Sequence, residues 1–130
     1  MAAFTEDGDN NERVIYELAD KKTRSSFQKA FGLKIRISRY DYKIIYCKRL
    51  VEGGEHCSGL ADMREKKIYL LVGHGDELIT FLHEIAHAEL CESALTARPS
   101  WCLELEEQIV ELWGRSMASF LEHLSALGSK

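Results

Sequence analysis

Proline occurs once in the chain, as Pro99, and no stretch approaches the ~20 consecutive apolar residues that a membrane-spanning helix needs. The opening residues, Met1 to Asn11, are acidic and lack the charged-then-apolar layout of a secretory signal. The default expectation is therefore a cytoplasmic protein with no membrane partner. Cysteine is also sparse. Cys47, Cys57, Cys91 and Cys102 form no Cys-x-x-Cys pair, and without a secretion signal they read as buried reduced thiols rather than a disulfide framework. A structural zinc on Cys57 and its neighbour His56 is a minor alternative. No basic stripe dominates, since 17 Lys and Arg stand against 21 Asp and Glu for a net charge of -4. Arg36, Arg39, Lys43, Lys48 and Arg49 cluster loosely and read as a solvated face, so no nucleic-acid partner is expected. Internal repeats and low-complexity blocks are absent as well.

What remains fits one compact domain: 130 residues, 45% of them hydrophobic, enough for a real core that a bound metal would help to stabilise. Residues 1–12, polar and acidic, are expected to be disordered, with a single domain over 13–130. Val14, Ile15, Leu18, Phe27, Ala30 and Phe31 suggest an amphipathic helix from Arg13 to Phe31, with Gly32 at its end. Leu33, Ile35 and Ile37 alternate with polar residues as in a half-buried strand. A second β-rich run covers Tyr42 to Val51, and a third covers Lys67 to Val72. Gly53-Gly54 and Ser58-Gly59 break the chain between them. Asp76 is placed to cap a helix running to about Cys91, and a last helix spans roughly Ser100 to Leu127. The order predicts an α+β domain with a small antiparallel sheet.

Residues 83 to 87 read His-Glu-Ile-Ala-His. Side chains four apart share a helix face, so His83 and His87 can reach one metal ion. Glu84 lies about 100° around the helix from His83, which puts its carboxylate beside the ion rather than on it. There it can serve as general base to a zinc-bound water whose pKa the ion has lowered to about 7.

A catalytic zinc usually takes three protein ligands, so one more is needed. Glu104, Glu106, Glu107 and Glu111 of the last helix are the candidates, with His123 as the later histidine. Leu103, Val110, Gly114, Met117, Leu121 and Leu124 form an apolar stripe, and Glu107 falls in its gap, aimed at the core. Glu107 is the preferred third ligand, with Glu106 one position away as the alternative. His123, about 160° around the helix from Glu107, cannot share its face. Glu111, one turn beyond Glu107, is placed to accept the second N–H of a ligand histidine.

At these residues the chain resembles a compact gluzincin metallopeptidase. His83-Glu84-Ile85-Ala86-His87 matches the zincin motif, and Glu107-Gln-Ile-Val-Glu111 is similar to the gluzincin third-ligand helix. The runs Gly59-Leu-Ala-Asp62, Lys67-Ile-Tyr-Leu70 and Phe81 to His87 resemble small phage and bacterial zincin-like proteins, related in outline to the ImmA/IrrE type. The resemblance covers roughly residues 33–125. It implies a zincin-like fold with an active-site helix and a glutamate helix, holding Zn2+ through His83, His87 and Glu107 with Glu84 as catalytic base. It further implies cleavage of a peptide bond in a protein or peptide substrate, laid along an edge strand that would be Lys67 to Val72. No clear counterpart of the family's oxyanion-stabilising residue is found; His74 and Tyr69 are possible stand-ins. The alternative function is a non-catalytic zinc-binding interaction module on the same fold.

Overall fold

The computed structural model describes residues 3–7, 13–93 and 102–128, with side chains for 14–93 and 102–124. In chain order its elements are β1 (Ala3–Asp7), β2 (Arg13–Leu18), α1 (Lys21–Phe31), β3 (Lys34–Ile37), β4 (Tyr40–Glu52), β5 (Glu55–His56), β6 (Gly59–Asp62), β7 (Lys67–Leu71), α2 (Glu77–Glu92) and α3 (Leu103–Gly128). The class is α+β, as the element order predicts. The sheet runs β1-β2-β4-β7-β6, with β3 and β5 also pairing with β4. It is mixed rather than antiparallel, because β4 and β7 run parallel from Lys43↔Lys67 to Cys47↔Leu71.

Two expectations for the N-terminal third are corrected. Arg13–Leu18 is a strand, not the start of a helix, and pairs antiparallel with β4. Val14 and Tyr16, two residues apart, are both buried, so the segment follows the period of a strand. The helix begins only after Asp20, whose side chain accepts the Thr23 backbone N–H at 2.8 Å, a standard N-cap. It ends as expected at Gly32, whose φ of 92° suits glycine. Ala3–Asp7, placed by composition in a disordered tail, pairs with β2 as an outer strand. The rest of that tail lies outside the described residues, as do Pro99 and its linker.

β4 is the spine of the sheet. Its Tyr42, Ile44, Ile45, Tyr46, Cys47, Leu50 and Val51 are all buried, because both faces of the strand are covered. On one face Tyr42, Ile44 and Tyr46 join Ile68 and Leu70 against Phe81, Leu82, Ile85 and Ala88 of α2, with Phe27 and Phe31 of α1 packed alongside. On the other, Ile45, Cys47 and Leu50 cluster with Val14, Tyr16 and Tyr69. The charges on the strands are locally matched: Arg36 pairs with Asp41, and Lys48 and Arg49 both approach Glu17. At the far end of α2, Glu92 accepts from Lys66 at 2.6 Å and from the Tyr42 hydroxyl, tying the helix to the strands beneath it.

α3 packs on α2 through Val110, Gly114 and Ala118, which are buried, and through the partly buried Met117. The apolar stripe of Leu103 to Leu124 is thus used only in its middle. Leu103, Leu121 and Leu124 remain exposed at the two ends. Among the described residues, no helix is long and apolar enough to cross a membrane.

Candidate metal centre

α2 enters from a loop that its own first residue holds in shape. Asp76 stands at the N-cap position without a side-chain capping bond. Instead, the Glu77 carboxylate accepts the backbone N–H groups of Gly73, His74 and Gly75 at 2.6, 3.0 and 3.3 Å. Burial alone would raise this carboxyl, but those N–H groups together with its own outweigh burial and hold it below the usual range. Gly73 and Gly75, at φ of 99° and 96°, supply left-handed turns on either side of His74. His74 accepts the Asp76 N–H through Nδ1 at 3.3 Å, so in its neutral form the ring carries its proton on Nε2.

Six residues into α2, His83 and His87 lie on one face, as their spacing predicts, with Nε2 atoms 3.2 Å apart. Glu107 of α3 reaches both: its Oε1 is 3.1 Å from His87 Nε2 and 3.4 Å from His83 Nε2. Three donors at the corners of a tetrahedron around one ion, with bonds of about 2.0–2.1 Å, lie about 3.3 Å apart. The triangle has that size, so these side chains fit a single zinc ion without moving far. Among the described residues, this is the group of histidine and carboxylate ligands that converges. The structure therefore brings together the three preferred ligands. Glu107 is, however, an exposed side chain rather than one aimed into the core.

Each histidine has a carboxylate behind it. His87 Nδ1 lies 2.5 Å from Glu106 Oε2, and His83 Nδ1 lies 3.5 Å from Glu111 Oε2. Glu111 is itself fixed by Arg115, whose Nε donates at 2.6 Å. With the Glu106 carboxylate on Nδ1, the neutral His87 ring is left with its Nε2 lone pair toward the triangle. Glu106, the alternative third ligand, thus has a different place: it is only 12% exposed and backs His87, while Glu107 is 53% exposed and faces the two Nε2 atoms. Arg115 was not anticipated, although its position four residues after Glu111 is the spacing of a helical ion pair.

Glu84 points to the other side of the triangle, toward β6. Burial pushes its carboxyl up to about 7; His87 and the Ala61 N–H draw it down, while Glu107 and Glu52 add to the rise. A cleft of about 350 Å³ opens here, lined among others by Gly59, His74, Thr80, His83, Glu84 and Arg115. Gly59 has a steric reason to be glycine. A Cβ there would lie 2.7 Å from Thr80 Cγ2 and 3.0 Å from Glu84 Cγ, so α2 could not come this close to β6.

Two expectations about the surroundings are corrected. Lys67–Leu71 is not an edge strand, since β4 occupies one side of it and β6 the other. The edge beside the cleft is β6. Tyr69 cannot face a substrate, because it is fully buried with its ring 5.0 Å from that of Tyr16. His123 lies apart, bonded to the Ser119 carbonyl on its own helix. No family model, curated protein or solved structure matches the chain.

Proposed function

We propose that this chain is a zinc-dependent metallopeptidase on a minimal zincin-like domain, hydrolysing a peptide bond in a protein substrate. The observation that carries this reading is the triangle of His83 Nε2, His87 Nε2 and Glu107 Oε1, 3.1–3.4 Å on a side, with Glu84 and a cleft directly beside it. A zinc ion held there would act as a Lewis acid toward water and toward a carbonyl. The protein's own groups do the rest. Glu84, with a carboxyl poised near neutrality by burial, takes the proton of the attacking water and returns it to the leaving amine. A dication in the triangle would draw that carboxyl down again and keep it a base. Glu106 holds the His87 ring with its Nε2 turned inward, and Glu111 lies behind the His83 ring.

The substrate would lie along β6. Leu71 N–H bonds to Ser58 O, so in the alternating antiparallel ladder residues 58, 60 and 62 face β7 while Gly59 and Ala61 face away. Ala61 N–H is directed at Glu84, which leaves the Gly59 N–H and C=O for an extended peptide by strand addition. His74, with Nε2–H available at the same cleft, is the group placed to donate toward a carbonyl oxygen.

The second reading is a zinc-binding interaction module without turnover, and the burial of Tyr69 favours it, since that removes one of two candidate donors to an oxyanion. Two measurements separate them. Elemental analysis should find about one zinc per wild-type chain and none in His83→Ala or Glu107→Ala. A zinc-loaded wild type should then cleave members of a mixed peptide library, and Glu84→Gln should keep its zinc but lose that cleavage by about 100-fold or more. Equal cleavage by both forms would sink the general-base role. Zinc without any cleavage would hand the site to the interaction module.

A further inference from the structure

α3 brings an arginine to the cleft beside the triangle. α2 forms the floor with Thr80, His83 and Glu84, β6 supplies one wall through Gly59, and α3 supplies the other through Glu111 and Arg115. Both walls pack on α2. Arg115 Nε donates to Glu111 Oε1 at 2.6 Å, and that bond sets the plane of the guanidinium. Its two Nη groups have no partner among the described residues.

Stability does not account for this side chain. Arg115 and Glu111 are exposed by 66 and 47%, and an i,i+4 pair so open to solvent adds little to the fold. Anchoring at Nε has a consequence for a ligand instead. It leaves the end of the guanidinium as a fork of two Nη groups, the geometry that grips a carboxylate through two parallel hydrogen bonds. The carboxylates that line the cleft do not fill that fork. Glu111 is bound at Nε, Glu84 is directed at β6, and Asp76 belongs to the His74 loop. Between the fork and the triangle stand the Glu111 carboxylate, 3.5 Å from His83 Nδ1, and the His83 ring. An extended peptide advances about 3.3 Å per residue, so the fork reaches groups within about three residues of a bond held at the triangle.

We propose that Arg115 is a specificity-determining residue of the cleft and binds a carboxylate of the substrate, within about three residues of the scissile bond. That carboxylate is either an acidic side chain or the C-terminus of the peptide, since both offer the fork the same planar anion. Lysine or arginine at the same place would meet the guanidinium and be turned away. The inference rests on the peptidase reading for what enters the cleft. Binding at Arg115 needs no turnover, however, so the two can fail separately.

The test uses fluorescently labelled short peptides built on one neutral, C-terminally amidated glutamine sequence. One set places glutamate at each position in turn, a second peptide frees the C-terminal carboxylate, and a third set carries lysine. Anisotropy measures their binding to the zinc-loaded full chain carrying Glu84→Gln, alone and with Arg115→Gln or Arg115→Lys added. At least one carboxylate-bearing peptide should bind about tenfold or more tighter than the neutral one. Arg115→Gln should bring that ratio to about one, and Arg115→Lys should leave a reduced ratio, because an ammonium lacks the fork. Each ratio is taken on one zinc-loaded protein, so a weaker metal site alone does not shift it. A gain confined to glutamate identifies a side chain as the ligand, and a gain confined to the free C-terminus identifies the chain end. Equal binding of acidic and neutral peptides, a preference for lysine, or a preference that survives Arg115→Gln would overturn the proposal. Discrimination without any cleavage by the wild type would refute the peptidase reading and leave Arg115 its role. Cleavage of acidic and neutral peptides alike would do the reverse, and no binding by any peptide would overturn both.

Discussion

Glu77 carries more of the approach to the site than any residue outside it. Its carboxylate gathers three successive backbone N–H groups, and so holds the turn that presents His74 to the cleft. Composition suggested Asp76 for that work, because aspartate is a common N-cap. The positive-φ glycines on both sides of His74 instead turn the loop's N–H groups toward the first turn of the helix, where Glu77 is in reach. The sign of the resulting pH dependence is fixed by the direction of the shift. The carboxyl is lowered from the ordinary value of 4.5, so its contribution is complete above that value and disappears as pH falls through the lowered one. Glu77→Gln should therefore cost about 1–2 kcal/mol at neutral pH. The gap to wild type should narrow below about pH 4.5. Urea denaturation of both proteins at several pH values measures it; a gap that is constant with pH would mean the charge is irrelevant. The ligands themselves were easier to anticipate. His83 and His87 are bound to each other by helix geometry alone, whereas the choice between Glu106 and Glu107 turned on a rotational phase that sequence gives only to within one residue.

At the scale of elements, the seam between α2 and α3 sets the distance from the histidines to Glu107. Gly114 sits at that seam, and a Cβ there would meet His83 N at 3.6 Å, His83 Cα at 3.8 Å and Ile79 O at 3.8 Å. These are ordinary contacts. Gly114→Ala should fit, and removing a glycine from a helix interior should raise stability by about 0.5–1 kcal/mol. Gly114→Leu should wedge the helices apart, costing about 1–3 kcal/mol and loosening zinc. Thermal melting and competition with a chelating dye check both, and a destabilising alanine would mean the seam is tighter than those distances. Elements with a long, clean period were legible: β4, β7, α2 and α3 lie close to where alternation and helical spacing put them. β2 was not, since Val14, Ile15 and Leu18 also satisfy a helical spacing and only pairing with β4 decides the matter. β6 has four residues and opens with a glycine, which reads as a break. Its glycine is there because α2 passes so close.

The whole molecule was least legible, for a physical reason: no local pattern states which strands become neighbours. β4 and β7 look like members of an antiparallel meander, yet they run parallel, and β6 rather than β7 takes the outer place beside the cleft. Pairing is decided by how both faces of β4 can be buried at once. One consequence concerns the metal and the stability of the entire fold. The three proposed ligands come from two helices, and α3 packs on α2 rather than on the sheet. An ion shared between them would act as a clasp across the seam between α2 and α3. At free zinc about 1,000 times the dissociation constant, linkage adds about 4 kcal/mol to the folded state. For a chain of this size that corresponds to a melting temperature higher by on the order of 10 °C. Stripping zinc with a chelator should reverse the gain, and Glu107→Ala should show no difference between loaded and stripped protein. Hydrogen exchange should locate the effect, with amides of α3 losing protection on metal removal while those of β4 and β7 keep theirs. Equal melting temperatures with and without zinc would show that His83, His87 and Glu107 hold no ion, and uniform loss of protection would show that the clasp acts on the core instead of on α3.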